Sequence, residues 1–411
     1  MEFRDTARHT APWLVGMGAL TFGFVAGFVV TALPFLLAKA GVSIDRIAGV
    51  SAVAMSPTFW AFLVTPIVDV GLTRRTYALI LTGAASLSLS AALWFFSSDR
   101  LAVFTALVLF AELFVVVQNN AVSGWATEFV TNDQRGKVGA WTNVANLGGG
   151  ALGSMVIMGL ASWFSFRTLG LIVGVGIVAS ALFLLGFPKP VEPVLGLRQV
   201  FGGTFHSVVK TSRQLEVLTG FLLFLAPAAC VAAINLFAGL GADFRAAPEQ
   251  VVWATGLGAA ITCSLGSLAG GYLADRVHRG TLYMTGGIMS GAVSLVLALT
   301  PHTASIFIAG VLLYNGLAGL CYAAFTSLCL QLAGTRNPTA ATQMALFAAA
   351  SNTAVCYMTW ADGRGYRMFE VRGLFLVDGL AALAAAIPLL LFLRSRARTV
   401  SIPAVAAAQE A

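Results

Sequence analysis

Two acidic residues stand inside long apolar runs: Glu112, in the run 101–126, and Asp378, in the run 373–393. An ionisable side chain surrounded by hydrocarbon is costly, so each is a functional candidate by default. A carboxyl group is cheapest to bury in its neutral form and can therefore take up a proton and release it. Glu112 and Asp378 are the candidates for proton coupling. Glu112 shares a helix face with Asn119 and Ser123, seven and eleven residues on. The plainer alternative for Glu112 is hydrogen-bonded packing within a bundle. For Asp378 it is pairing with Arg367 or Arg372 near the outer interface.

A second set is neutral: Gln118, Asn119, Asn143, Asn146, Asn235, Asn315, Tyr322 and Asn352 all fall in apolar runs. Carboxamides donate and accept hydrogen bonds at once, as recognition of amides, hydroxyls or sugars requires. Asn315, Gly319, Tyr322 and Thr326 follow helical spacing along one face. The same groups serve equally to join helix to helix.

A third set is charged and sits at the ends of runs. Pro66-Ile-Val-Asp69 leads into Arg74-Arg75, and Gly271-Tyr-Leu-Ala-Asp275 leads into Arg276 and Arg279. An Asp at a helix end with basic residues one turn on can form a charge lock that holds one gating state, here with Glu128 and Arg135. Basic residues that merely fix topology are the alternative.

These residues need helices to hold them. The chain of 411 residues is 58% hydrophobic and only 10% charged, against about 25% charged in a soluble domain. Its apolar runs reach the roughly 20 residues that a helix needs to cross a bilayer. Backbone groups in lipid must be satisfied within the chain, so each run reads as a spanning helix, and no ten-residue alternation suggests a β-barrel. The expected spans, numbered 1 to 12, are 13–38, 47–68, 76–97, 101–126, 138–162, 167–187, 217–241, 250–273, 281–300, 303–333, 340–361 and 373–393. The run at 13–38 follows Arg4, Arg8 and His9 and is too long for a signal peptide. Pro34, Pro57, Pro227 and Pro388 are expected to kink their spans. Glycine pairs four apart, such as Gly23/Gly27 and Gly266/Gly270, are expected at close helix contacts.

With both termini cytoplasmic, two-thirds of the 24 Lys and Arg fall on the inner side, as the positive-inside rule requires. Asp69 and Asp275 lie 206 residues apart, and the same offset carries Asn146 onto Asn352. The expectation is an all-α membrane protein of twelve transmembrane helices in two pseudo-symmetric six-helix bundles. The N-terminal bundle is 1–187, a cytoplasmic linker with a short amphipathic helix is 188–216, the C-terminal bundle is 217–398, and a disordered tail is 399–411.

Other functions find little support. The net charge of +7 sits in loops between apolar runs, with no basic-aromatic stripe to bind nucleic acid. The five cysteines fall in apolar segments without a CxxC pair, so no disulfide or metal site is expected. There is no phosphate-binding loop, His-Glu-x-x-His or nucleophile elbow. No cofactor and no enzymatic activity is expected, and the partners are a small-molecule substrate and the lipid bilayer, with the chain a monomer.

The stretch Gly271-x-Leu-Ala-Asp275-Arg276-x-x-Arg279-Gly280, with its partial copy at Asp69, resembles the loop signature of the major facilitator superfamily. A narrower likeness rests on Gln118-Asn119, Thr127-Glu128, Asp133-Gln134-Arg135-Gly136 and Gly148-Gly149-Gly150. Trp60 to Asp69, Asn315 to Phe325 and Ala341-Thr342-Gln343-Met-Ala-Leu346 add to it. These fragments resemble the muropeptide permeases (AmpG type), a group related to acetyl-coenzyme A transporters. Siderophore permeases share much of the pattern, including Ala32-Leu33-Pro34. The resemblance implies a secondary transporter in the bacterial inner membrane that imports a medium-sized polar solute, a muropeptide or a ferric siderophore. Asn119 and Ser123 stand where that group tends to carry acids, so proton coupling here must rest elsewhere or be absent. The rival class is a non-transporting sensor or assembly partner built on a permease scaffold.

Overall fold

The computed structural model describes residues 10–161, 163–189, 215–334 and 337–409. Among them every regular element is helical. Among the described residues nine helices are long and apolar enough to cross a membrane: Pro12–Lys39, Arg74–Trp94, Leu101–Ala126, Arg135–Leu160, Phe166–Gly186, Pro248–Ala274, Arg279–Leu299, Ala304–Ala333 and Ala340–Leu393. The last has 54 residues, about 80 Å at 1.5 Å per residue, which is enough for two passes. Its turn lies at Phe369 and Glu370, the latter left-handed at φ 53°. The two arms touch there: a Cβ on Gly365 would meet the Gly373 carbonyl oxygen at 2.5 Å. Two broken spans, the second and the seventh, complete twelve passes.

Those breaks follow prolines. Span 2 runs as Ile44–Met55, Pro57–Trp60 and two 3-10 turns, Ala61–Leu63 and Thr65–Asp69. Pro57 and Pro66 each lack the N–H that a continuous helix would use there. Span 7 is helical only over Leu215–Leu225. The chain leaves the helix over 226–231, past Pro227, and resumes as the 3-10 turns Ala232–Asn235 and Phe237–Gly239. Val231 ends the gap in the left-handed region at φ 48°, costly for a β-branched residue. Pro34 follows a π-turn, Phe28–Ala32, in span 1. At Pro388 the helix continues without a break.

The described chain divides into two compact units, Met1–Gly220 with Cys329–Ala350, and Phe221–Leu328 with Ser351–Ala411. The end of span 10 and the start of span 11 thus group with the first six spans. Most of the expected linker, 190–214, lies outside the described residues, as do Arg4 and Arg8. The last helix is drawn to Gln409, through the Ala-rich stretch 404–408, where a disordered tail is the sequence expectation.

Packing within each unit relies on small residues and hydroxyls, because lipid removes the hydrophobic drive between helices. In the first unit Gly27 of span 1 faces the Gly150 backbone of span 5. Ser86 and Ser90 of span 3 donate to the carbonyls of Gly174 (2.9 Å) and Gly170 (2.8 Å) in span 6. In the second unit Gly266 of span 8 faces the Gly316 carbonyl of span 10, and Ser267 donates to Gly319 O at 3.1 Å. An added Cβ at Gly266 would sit on that carbonyl oxygen, whereas one at Gly159 meets nothing within 4 Å. Gly266→Ala is therefore expected to destabilise the fold by about 1–3 kcal/mol through overpacking, and Gly159→Ala to leave it unchanged or firmer. Thermal unfolding in detergent reads both, and equal melting temperatures would refute the close contact.

Candidate functional site

Span 3 begins at Arg74, capped by Thr73, whose hydroxyl accepts from Thr76 N. That start places the Arg74 guanidinium, with a side chain 9% exposed, between two acids. Its Nε and Nη2 donate to Asp69 Oδ1 at 3.2 and 2.8 Å, and Nη1 donates to Glu128 Oε1 at 2.8 Å. The remaining donors reach backbone carbonyls: Gly124 at 3.1 Å, Asn337 at 2.9 Å and Pro338 at 3.2 Å. Asp69 faces the start of the helix that opens at Ala340. Its oxygens accept from Ala341 N (3.2 Å), Thr342 N (2.9 Å) and the Thr342 hydroxyl (2.7 Å). A carboxylate at a helix N-terminus meets both unpaired N–H groups and the positive end of the helix dipole. All of these residues belong to the first unit.

In the second copy of the motif the Asp–Arg pair is more widely spaced. Arg279 lies 3.7 Å from Asp275, one turn away on its own segment. Arg276 donates to Tyr272 O at 3.4 Å and stacks on the Tyr272 ring. Arg135 donates to Asn132 Oδ1 at 3.3 Å. Arg75 is half-buried and makes no hydrogen bond or ion pair to described residues. The structure thus brings Asp69, Arg74 and Glu128 together, and adds Asn337, Pro338 and Thr342, which the spacing of the sequence does not single out.

Span 4 is regular from Leu101 to Ala126, with no proline or interior break. It carries Glu112 fully into the first unit, 2% exposed, with Oε2 unpartnered. Val108, Ala111 and Val115 around it are equally buried. About two turns on, Gln118 is wholly buried with neither amide atom partnered, and Asn119 Oδ1 is likewise unpartnered. Asn120, not singled out from sequence, donates to Thr65 Oγ1 at 3.2 Å and ties span 4 to span 2. In span 5 the Asn143 amide returns to Gly139 O of its own helix at 2.8 Å, while Asn146 Oδ1 is unpartnered.

In the second unit Asn315 donates to Val311 O, one turn back on its own helix, at 2.9 Å. Asn235 is exposed and donates to Thr359 Oγ1 at 3.1 Å. Tyr322 and Asn352 are half-buried. Asp378 is buried at 3% and takes neither arginine expected for it. Ser294 Oγ donates to Asp378 Oδ2 at 2.5 Å, and the Tyr314 hydroxyl donates to the same oxygen at 2.9 Å. Asp362, absent from the sequence candidates, is wholly buried with both oxygens unpartnered. Among the described residues no group of three or more His, Cys, Asp or Glu is set to hold a metal.

Removing one partner of a buried pair leaves the other charge unpaired, a loss of about 3–5 kcal/mol. Because Glu128 still pairs with Arg74, Asp69→Asn is expected to cost near the lower end, about 3 kcal/mol, and Thr342→Val less. Melting temperatures of the two variants in detergent check this, and an unchanged Asp69→Asn protein would remove the cluster as a stabilising element.

The sequence matches the family model described as Major Facilitator Superfamily over residues 15–359. Among solved structures, the chain is similar to a proton:xylose symporter, XylE, bound to 6-bromo-6-deoxy-D-glucose. The TM-score is 0.71 at 13% identity, over 94% of this chain and 95% of that one. It is similar to the E. coli fucose:proton symporter FucP (TM-score 0.72, 12% identity, 93% and 98% covered). A third is a bacterial homologue of the iron transporter ferroportin in an outward-facing state (TM-score 0.65, 17% identity, 93% and 98% covered). No curated protein matches the sequence. At these identities the likeness is one of fold.

Proposed function

The chain belongs to the major facilitator superfamily of membrane transporters, and on that premise we propose that it is a proton-coupled importer of a medium-sized polar solute. The observation that carries this reading is Glu112: an acid fully buried in span 4, with one oxygen unpartnered and uncharged polar groups on the turns beyond it. A carboxyl in that setting is neutral when protonated and must find water or substrate to release its proton. Coupling follows if Glu112 exchanges its proton only while the binding groups are engaged. The Gln118 amide and the Oδ1 atoms of Asn119 and Asn146, all unpartnered, are the groups we assign to substrate, since such atoms retain their capacity to hydrogen-bond. Asn143, Asn235, Asn315, Tyr322 and Asn352 complete the proposed binding set. Asn143, Asn235 and Asn315 also brace helices.

Transport proceeds by alternating access, two repeats rocking around a midplane site. The Asp69–Arg74–Glu128 cluster stabilises one state by capping the helix at Ala340, and Asp275, Arg276 and Arg279 do the same in the second repeat. The protein sits in the bacterial inner membrane as a monomer with both termini in the cytoplasm. The muropeptide-like substrate class rests on the short motifs of spans 2, 4, 5, 10 and 11.

Uptake of labelled anhydro-muropeptide into proteoliposomes, with and without an inward proton gradient, tests this. The expected result is gradient-driven uptake in the wild type that falls to the level of protein-free liposomes in Glu112→Gln. Uptake that persists in the variant would remove Glu112 as the coupling group. No uptake by folded wild type would remove muropeptides and direct the assay to ferric siderophores. No transport of either by folded protein would favour a non-transporting role.

A further inference from the structure

Asp362 is the buried acid that the proton-coupling reading does not use. It lies on the arm before the Phe369–Glu370 turn, in the second unit. It is wholly shielded from solvent, and neither carboxyl oxygen has a hydrogen-bond partner among the described residues. Met358 and Gly365, about one turn to either side on the same helix, are buried as well. Gly365 packs against Gly373 and Val377 of the returning arm, and Met358 packs with Cys230, Ala232 and Ala354.

Among the described residues no cation pairs with this acid. The arginines next to it in sequence, Arg364 and Arg367, are exposed, and Arg364 stacks on the Trp360 ring. The ionisable groups that share an electrostatic interaction with it are Asp378, Tyr314 and Cys230, none of them basic. The other buried acid of the second unit is supplied differently. The Ser294 and Tyr314 hydroxyls both donate to Asp378, and hydrogen bonds of that kind favour a carboxylate. Asp362 has no such donor.

A carboxylate with neither donor nor cation is far costlier to bury than the neutral acid, and burial is met by neutralisation. We propose that Asp362 holds a proton within the membrane and gives the second unit a proton-carrying acid to match Glu112 in the first. The carrier role rests on the proton-coupling reading; the bound proton does not. Ionisation in the closed packing would leave a bare charge, so the proton leaves only when the Gly365–Gly373 contact parts and water reaches the carboxyl. Release is thereby tied to separation of the two arms.

Infrared spectroscopy of the purified full chain in detergent, without substrate, tests this apart from transport. A protonated carboxyl has a C=O stretch that a carboxylate lacks, and carbon-13 in the aspartate side chains separates aspartate bands from that of Glu112. At neutral pH the wild type is expected to show a labelled protonated band. Asp362→Asn is expected to lose it, and Asp378→Asn and Glu112→Gln to keep it. As the pH is raised the band is expected to fade reversibly in folded protein, since a carrier must give up its proton. Should Asp362→Asn fail to fold, Asp362→Glu keeps the acid and is expected to move the band from the labelled to the unlabelled position. Absence of a protonated aspartate in folded wild type overturns the proposal, as does a band undiminished in folded Asp362→Asn or lost with Asp378→Asn. A band that persists until the protein unfolds makes the proton structural and overturns the carrier role. None of these failures touches the reading of Glu112.

Discussion

A backbone amide left unpaired in hydrocarbon costs several kcal/mol, and the architecture depends on where this chain breaks that constraint. Most of its length obeys, in helices of 21 to 30 residues and one of 54 whose bonds are internal. Spans 2 and 7 do not. Each stops short and hands its freed groups to something else. In span 2 the prolines end in a 3-10 turn that delivers Asp69, whose carboxylate then satisfies the start of another helix. In span 7 the helix stops before the gap, and the Leu225 carbonyl at its end takes the Tyr357 hydroxyl at 2.7 Å. At Asp69 irregular backbone and buried acid occur together, and each supplies what the other lacks.

The first unit shows how one guanidinium organises a corner of the protein. Arg74 has five N–H donors in a rigid fork, and it spends them on two carboxylates and three carbonyls. A lysine could not span that set. Asp69 is shared between this fork and two helix-terminal amides. The wider spacing of the second copy, 3.7 Å between Arg279 and Asp275, shows that repetition of a motif in sequence does not impose equal geometry.

The twelve passes were legible because an apolar run of 20 residues has few other uses. The glycine contacts at Gly27 and Gly266 were legible too, since close helices need small residues. What sequence could not give was the break in an apparently regular span. Pro227 marks span 7 for a kink, yet no local pattern says that the helix opens over six residues, 226–231. Asp362 was missed for the opposite reason: Gly363-Arg364-Gly365 looks like a loop, whereas the helix continues to the turn at Phe369. The amides illustrate a further limit. Asn143 and Asn315 bond to their own helices, while Gln118 bonds to nothing among the described residues, and residue type alone cannot separate those fates. The pairing of Asp69 with Thr342 spans 273 residues, far beyond any local pattern.

That separation has a bearing on biosynthesis. The ribosome delivers Asp69 and Arg74 to the membrane long before the residues at 337–342 that complete their surroundings. At about 5–20 residues per second, the first unit waits roughly 15–55 s for its last segment. During that interval Arg74 has Glu128 and Asp69 to hold it, but Asp69 lacks the three donors of Ala341 and Thr342. The nascent chain thus carries an unfinished acidic corner, open to insertion chaperones and quality-control proteases, until nearly all of the polypeptide has been made.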